Sequence, residues 1–181
     1  MRKSLPWLAV LGIVCLVSAI LVQAQSPKPD PAALKLQPFV GDWTYVGEFQ
    51  AGPLGPGGKI TGVQKGRMIL GGFFLELRWK EKGSNGETQG FEIDGYNPVN
   101  KNFTYNVYLD RGGAESGVFA FSGNTWSWSG KHIDAGKEYL TRGRGTIAAE
   151  SITMKAEISA DGKTWMPFYE ETLTKAKPAS K

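Results

Sequence analysis

One histidine and two pairs of acidic residues are the groups in this chain whose types and spacing could support acid, base or metal chemistry. His132, the single histidine, lies in the Gly-flanked polar stretch SGKHIDAGKEY, which reads as a loop or strand end. A zinc site would need carboxylates to complete it, and a Ser-His-Asp relay would rest wholly on this residue. The plainer reading is a solvated loop histidine. Glu92 and Asp94 share one face of an extended segment, whereas Glu170 and Glu171 alternate across one. An acid/base pair needs an apolar surround that lifts one of its pKa values, and neither pair shows one in the sequence. Both are therefore assigned to a solvated outer face. An inward arginine could receive a ligand carboxylate. Arg78 falls in the polar register of its segment, while Arg67 shares its register with Val63 and Ile69, and its placement stays open.

Aromatic side chains are the stronger signal. The tryptophans after Trp7 (Trp43, Trp79, Trp126, Trp128 and Trp165) fall in registers expected to point inward, and Tyr45, Tyr105 and Tyr169 would bring hydroxyl groups to the same interior. The residues expected to line a ligand site are Trp43, Tyr45, Arg67, Trp79, Ile93, Tyr105, Phe119, Trp126, Trp128, Met154 and Tyr169. Such a wall suits a pocket for an apolar ligand with one or two polar groups. It equally suits a small barrel filled by its own rings, and both readings stay open. No catalytic residue, metal ligand or cofactor is assigned. The glycine-rich stretch GPLGPGG at 52–58 has neither the Walker spacing nor that of a dinucleotide fingerprint.

These residues must be positioned by short strands. Apolar residues recur at spacing two, with Gly, Asn, Asp and Pro between the runs at intervals of about 8 to 12 residues, the pattern of an antiparallel barrel or sandwich. Strands are expected near 42–50, 59–70, 72–80, 89–96, 102–109, 117–122, 125–130, 137–147, 151–159 and 164–174, with hairpin turns at Ser84-Asn85-Gly86, Arg111-Gly112-Gly113, Gly123-Asn124 and Asp161-Gly162. A closed barrel is preferred because it buries the aromatic wall and removes the sheet edges together. The fold class expected is all-β, a single antiparallel up-and-down barrel of about ten strands. Asp30-Pro31 should cap a short helix through AALKLQPF before Gly41. Residues 25–37 are read as linker and short helix, 38–174 as the barrel and 175–181 as a flexible tail.

The N-terminus predicts export. Arg2 and Lys3 precede an apolar run from Trp7 to Val22, and Val22-Gln23-Ala24 offers small residues for cleavage between Ala24 and Gln25. Residues 1–24 then form a signal peptide of a periplasmic or secreted protein, with no membrane span in the mature chain. Cys15, the single cysteine, leaves with it, so no disulfide or thiolate site is expected. The formal charge of +4 loses two positive charges with Arg2 and Lys3. Basic residues scattered among acids give no nucleic-acid footprint.

Four stretches carry a resemblance: Phe39-Val40-Gly41-Asp42-Trp43; Thr61-Gly62 leading to Arg67-Met68-Ile69-Leu70-Gly71-Gly72-Phe73; Gly95-Tyr96-Asn97 with Phe103-Thr104-Tyr105 and Asp110; and Ser159-Ala160-Asp161-Gly162-Lys163-Thr164-Trp165. In this order they resemble the bacterial domain-of-unknown-function family 1579, a group similar to calycins and lipocalins, with Asn97 standing where aspartate is usual. The resemblance implies a lipocalin-like fold and no reaction. Some barrels related to calycins hold haem through one interior histidine, a role open to His132 only from an inward position. Three functions follow from these readings. The first is a binding module for a small lipophilic or amphipathic molecule. The second is an enzyme using a cavity-facing carboxylate or His132, and the third a partner-binding barrel with a filled core.

Overall fold

The alternating runs form ten antiparallel strands among the described residues, each paired with its neighbours in sequence: β1 (Gly41–Phe49), β2 (Gly58–Ile69), β3 (Phe74–Gly83), β4 (Gly86–Asn97), β5 (Asn102–Leu109), β6 (Ala114–Ser122), β7 (Thr125–Asp134), β8 (Lys137–Ile147), β9 (Ser151–Ser159) and β10 (Met166–Lys175). β1 pairs with both β2 and β10, so the sheet closes into a barrel with no free edge. This computed structural model describes residues 27–84 and 86–177. The expected signal peptide and its cleavage point, Cys15, the turn residue Asn85 and residues 178–181 of the expected tail lie outside the described residues.

Every expected strand is present, and β3, β4, β6 and β7 run further than expected. β3 starts late because the paired glycines turn the chain beforehand: Gly71 and Gly72 have φ of 73° and 90°, where residues with a Cβ are disfavoured. The short helix is present as a 3₁₀ helix over Pro31–Phe39, with the Asp30 carboxylate accepting from the Ala32 amide at 2.8 Å. Among the described residues no helix is long and apolar enough to cross a membrane.

The barrel is solid at one end and hollow at the other. The 3₁₀ helix plugs the end where β1 begins, burying Ala33, Leu36 and Phe39, and Trp43 Nε1 donates to the Phe39 carbonyl at 3.2 Å. Trp43, Leu75, Phe103, Ile152 and Leu173 fill the space above the plug. Higher up, the rings lie flat along the wall because each faces a glycine on the adjoining strand. Trp79 sits opposite Gly90, Trp126 opposite Gly145 and Trp128 opposite Gly143, and a Cβ at any of these glycines would run into the ring. With the rings against the wall the centre stays open. The outer face is charged, with exposed pairs such as Arg142 with Glu157 and Lys155 with Glu170, each at 2.7 Å; exposed pairs of this kind add little stability.

Candidate functional site

The open end encloses a cavity of about 470 Å³, within the size range of small-molecule sites. The loop from Gln50 to Gly57, with Arg111 and Asp134, borders its mouth. Tyr45, Trp79, Tyr105, Phe119, Trp126, Trp128, Met154 and Tyr169 gather around it from seven strands. Trp126 and Trp128 stack with centroids 6.1 Å apart. A register shift between Pro167 and Tyr169 inserts one residue into β10, a bulge that lets both Phe168 and Tyr169 line the cavity.

Three of the expected aromatic or apolar wall positions and Arg67 stand elsewhere. Trp43 is inward but belongs to the solid end, only 2% exposed. Arg67 points outward, its Nε 2.7 Å from Glu76 Oε1, where Arg78 Nε also donates at 3.0 Å. Its register partner Val63 is exposed too, so it was the inward reading of this register that failed. Ile93 is outward, because β4 runs in the opposite register from the expected one. Phe91 lies on the outer face under the Arg78 guanidinium, 4.6 Å from the ring centroid, while Thr88, Glu92 and Asp94 face the cavity. Trp165 precedes β10 and lies under Arg142, 4.1 Å from its ring centroid, because the bulge breaks the parity that linked it to Tyr169.

Glu92 and Asp94, expected on the solvated face, line the cavity, as do Glu171, Glu81 and Glu115. Glu170 alone of its pair stays outside, on Lys155. His132 is no loop residue: it sits in β7, inward and 7% exposed, its Nδ1 3.2 Å from Glu115 Oε2 and its ring edge-on to Phe168. In the tautomer protonated at Nδ1 it donates to that carboxylate. Tyr105 and Thr141 donate to Glu115 Oε1 at 2.8 and 2.6 Å.

These surroundings set the acids apart. Burial pulls the Glu115 carboxyl up, but the hydrogen bonds from His132, Thr141 and Tyr105 outweigh it and hold the group below the usual carboxylate range. Burial pushes Glu92 up to about 7, against a lowering hydrogen bond with Asp94 and with a further rise from the Glu115 charge. Asp94 is driven well above its ordinary value by burial and by Glu92 beside it. Burial, with the Glu81 charge adding to it, lifts Glu171 to about 8. Glu81 is also raised by burial, against the Tyr45 hydroxyl, which donates to it at 3.3 Å, and Arg111. The cavity thus holds one carboxylate equipped to stay ionised and several that burial favours as neutral acids.

Among the described residues no group of three or more histidines, cysteines or acids has the arrangement of a metal site. His132 meets the geometric condition for haem by pointing inward, but a carboxylate-rich wall is a poor match for a dianionic haem. Two of the stretches that carried the family resemblance hold turn-makers. Asn97 Oδ1 accepts from the Val99 and Asn100 amides at 3.0 and 3.1 Å, an acceptor role an aspartate would also fill. Asp161 is held down to about 2 by the Thr164 and Lys163 amides, which donate to its Oδ1 at 2.7 and 2.8 Å.

Comparison with solved structures finds the same kind of fold in the crystal structure of Rv2717c from M. tuberculosis, with a TM-score of 0.64 and 14% identity, covering 83% of this chain and 100% of that one. A de novo designed fluorescence-activating β-barrel matches with a TM-score of 0.44 and 13% identity, over 77% of this chain and 95% of that one. Comparison with curated proteins gives no match. A family model described as protein of unknown function (DUF1579) matches residues 28–175, which take in the 3₁₀ plug and all ten strands, and the chain therefore belongs to that family.

Proposed function

We propose that the protein is a binding module that holds one small amphipathic molecule inside a lipocalin-like barrel. The observation that carries this reading is the cavity itself, where aromatic rings are kept against the wall by facing glycines beside a set of inward acids. Tryptophan emission is the natural readout, since Trp79, Trp126 and Trp128 all line the space. Fatty acids, retinoids, isoprenoids, alcohols and amines added to delipidated protein should include compounds that shift this emission and raise Tm. A ligand at a hundred times its Kd adds about 2.7 kcal/mol to the folded state. Trp128→Ala should weaken the response and leave the domain folded. Silence across the whole panel would remove the reading.

A second reading, an enzyme working by proton transfer, is favoured by one observation: Glu115 is held low while Glu92 is lifted to about 7 in the same cavity. Export completes the proposal and rests on residues 1–24. Protein recovered from periplasm or medium should begin at Gln25 by mass analysis of its N-terminus. A retained Cys15 bearing a lipid would overturn the cleavage site.

A further inference from the structure

Aromatic rings share the sides of this cavity with ionisable groups that are mostly acids. Six of the chain's 17 acidic residues line it, against Arg111 at the mouth and His132 within. Glu115 is satisfied by three donors, and Glu81 by Tyr45. The neighbouring Glu92 and Asp94 have no basic side chain on them among the described residues. Asp94 is 4% exposed, and its Oδ1 receives no hydrogen bond. Buried acids are ordinarily paired, and a buried oxygen without a donor costs free energy. Asp94 lines a lumen walled by Trp79, Trp128 and Tyr105, and aromatic ring faces attract cations.

We infer, on the basis of the binding reading above, that the ligand is an organic amine: a protonated ammonium seated at Asp94 and Glu92, carried on an apolar body that lies along Trp79 and Trp128. An ammonium supplies the N–H donor that Asp94 Oδ1 lacks, which a quaternary nitrogen does not. It also brings a positive charge that favours the ionised forms of these two acids, which an alcohol does not. An anionic head, as on a fatty acid, would meet the ionised Glu115 and bring no donor to Asp94 Oδ1. A bare metal ion fits less well, since no metal-type cluster of acids or histidine occurs among the described residues.

A matched set separates the possibilities, because phenylbutylamine, phenylbutanol, phenylbutyrate and trimethyl(phenylbutyl)ammonium share one body and differ in the head. Titrated against delipidated protein by calorimetry and tryptophan emission, the amine should bind at least about tenfold more tightly than the alcohol, a difference of about 1.4 kcal/mol. Phenylbutyrate should bind most weakly, and the quaternary compound should fall below the amine. Asp94→Asn should close the gap between amine and alcohol, so that the two bind the variant equally. Should that variant fail to fold, as judged by circular dichroism, Glu92→Gln replaces it with the same expectation. If alcohol or butyrate binds as well as the amine, the amine inference fails and the binding reading survives. If no compound of the set or of the wider panel binds, both fall.

Discussion

Replacing Trp43 with alanine should lower the free energy of unfolding by about 3 to 5 kcal/mol, as truncations of large buried aromatics do. The ring is 2% exposed and lies in the solid end, so its loss leaves a void between the barrel and its plug. The change also removes the donor to the Phe39 carbonyl, the one side-chain hydrogen bond tying the 3₁₀ plug to β1 among the described residues, so part of the cost should appear as loosening of residues 31–39. Lys175, 5.7 Å from the ring centroid at the surface, adds little. A urea titration of both proteins measures the effect. A loss below about 1 kcal/mol would mean that the plug and the end of the barrel hold without this ring.

Replacing Glu171 with glutamine should instead stabilise the protein, and only on the alkaline side. Burial raises this carboxyl from its ordinary 4.5 to about 8. Between those values the folded protein keeps a proton that the unfolded chain has released, so stability falls as pH rises across this window and is undiminished below it. The full shift corresponds to roughly 5 kcal/mol, and water admitted to the cavity should reduce it to about 2 kcal/mol. Glu92, lifted to about 7, acts with the same sign. Glutamine at 171 has no proton to lose. Its advantage in urea titrations should be near zero at the acidic edge of the window and about 2 kcal/mol at its upper edge. An equal difference at both pH values, or a variant less stable at the alkaline one, would show that this carboxyl is well solvated in the folded state.

Both predictions concern residues that the sequence treated very differently. Trp43 was legible because it alternates with Tyr45 and stands just after the glycine that opens β1. All ten strands were legible for the same reason, since period-two alternation and turn residues are local signals. The acids were half-legible. Glu81 has the parity of Trp79, Glu115 that of Phe119, His132 that of Trp126 and Trp128, and Glu171 that of Tyr169, so extending each inward register by a few residues would have reached them. β6 and β7 were expected to end short of Glu115 and His132 because polar residues resemble loops. β4 misled outright: Phe91 and Ile93 look like core, yet both lie on the outer face, where arginine and tyrosine cover Phe91. Register is a property of the closed sheet, which pairs Trp79 with Gly90 and Tyr105 with Asp94, and one segment read alone does not contain it.

The facing of rings and glycines lets the cavity change size over evolutionary time without a change in its lining. Gly90, Gly143 and Gly145 do not line the cavity, yet each decides how far a tryptophan leans into it. A single methyl at one of them would tip its indole towards the centre and take up cavity volume. The capacity of the barrel is therefore written in residues that do not line its cavity, and a lineage can resize that cavity by exchanging hydrogen for methyl on the wall while every lining residue keeps its identity.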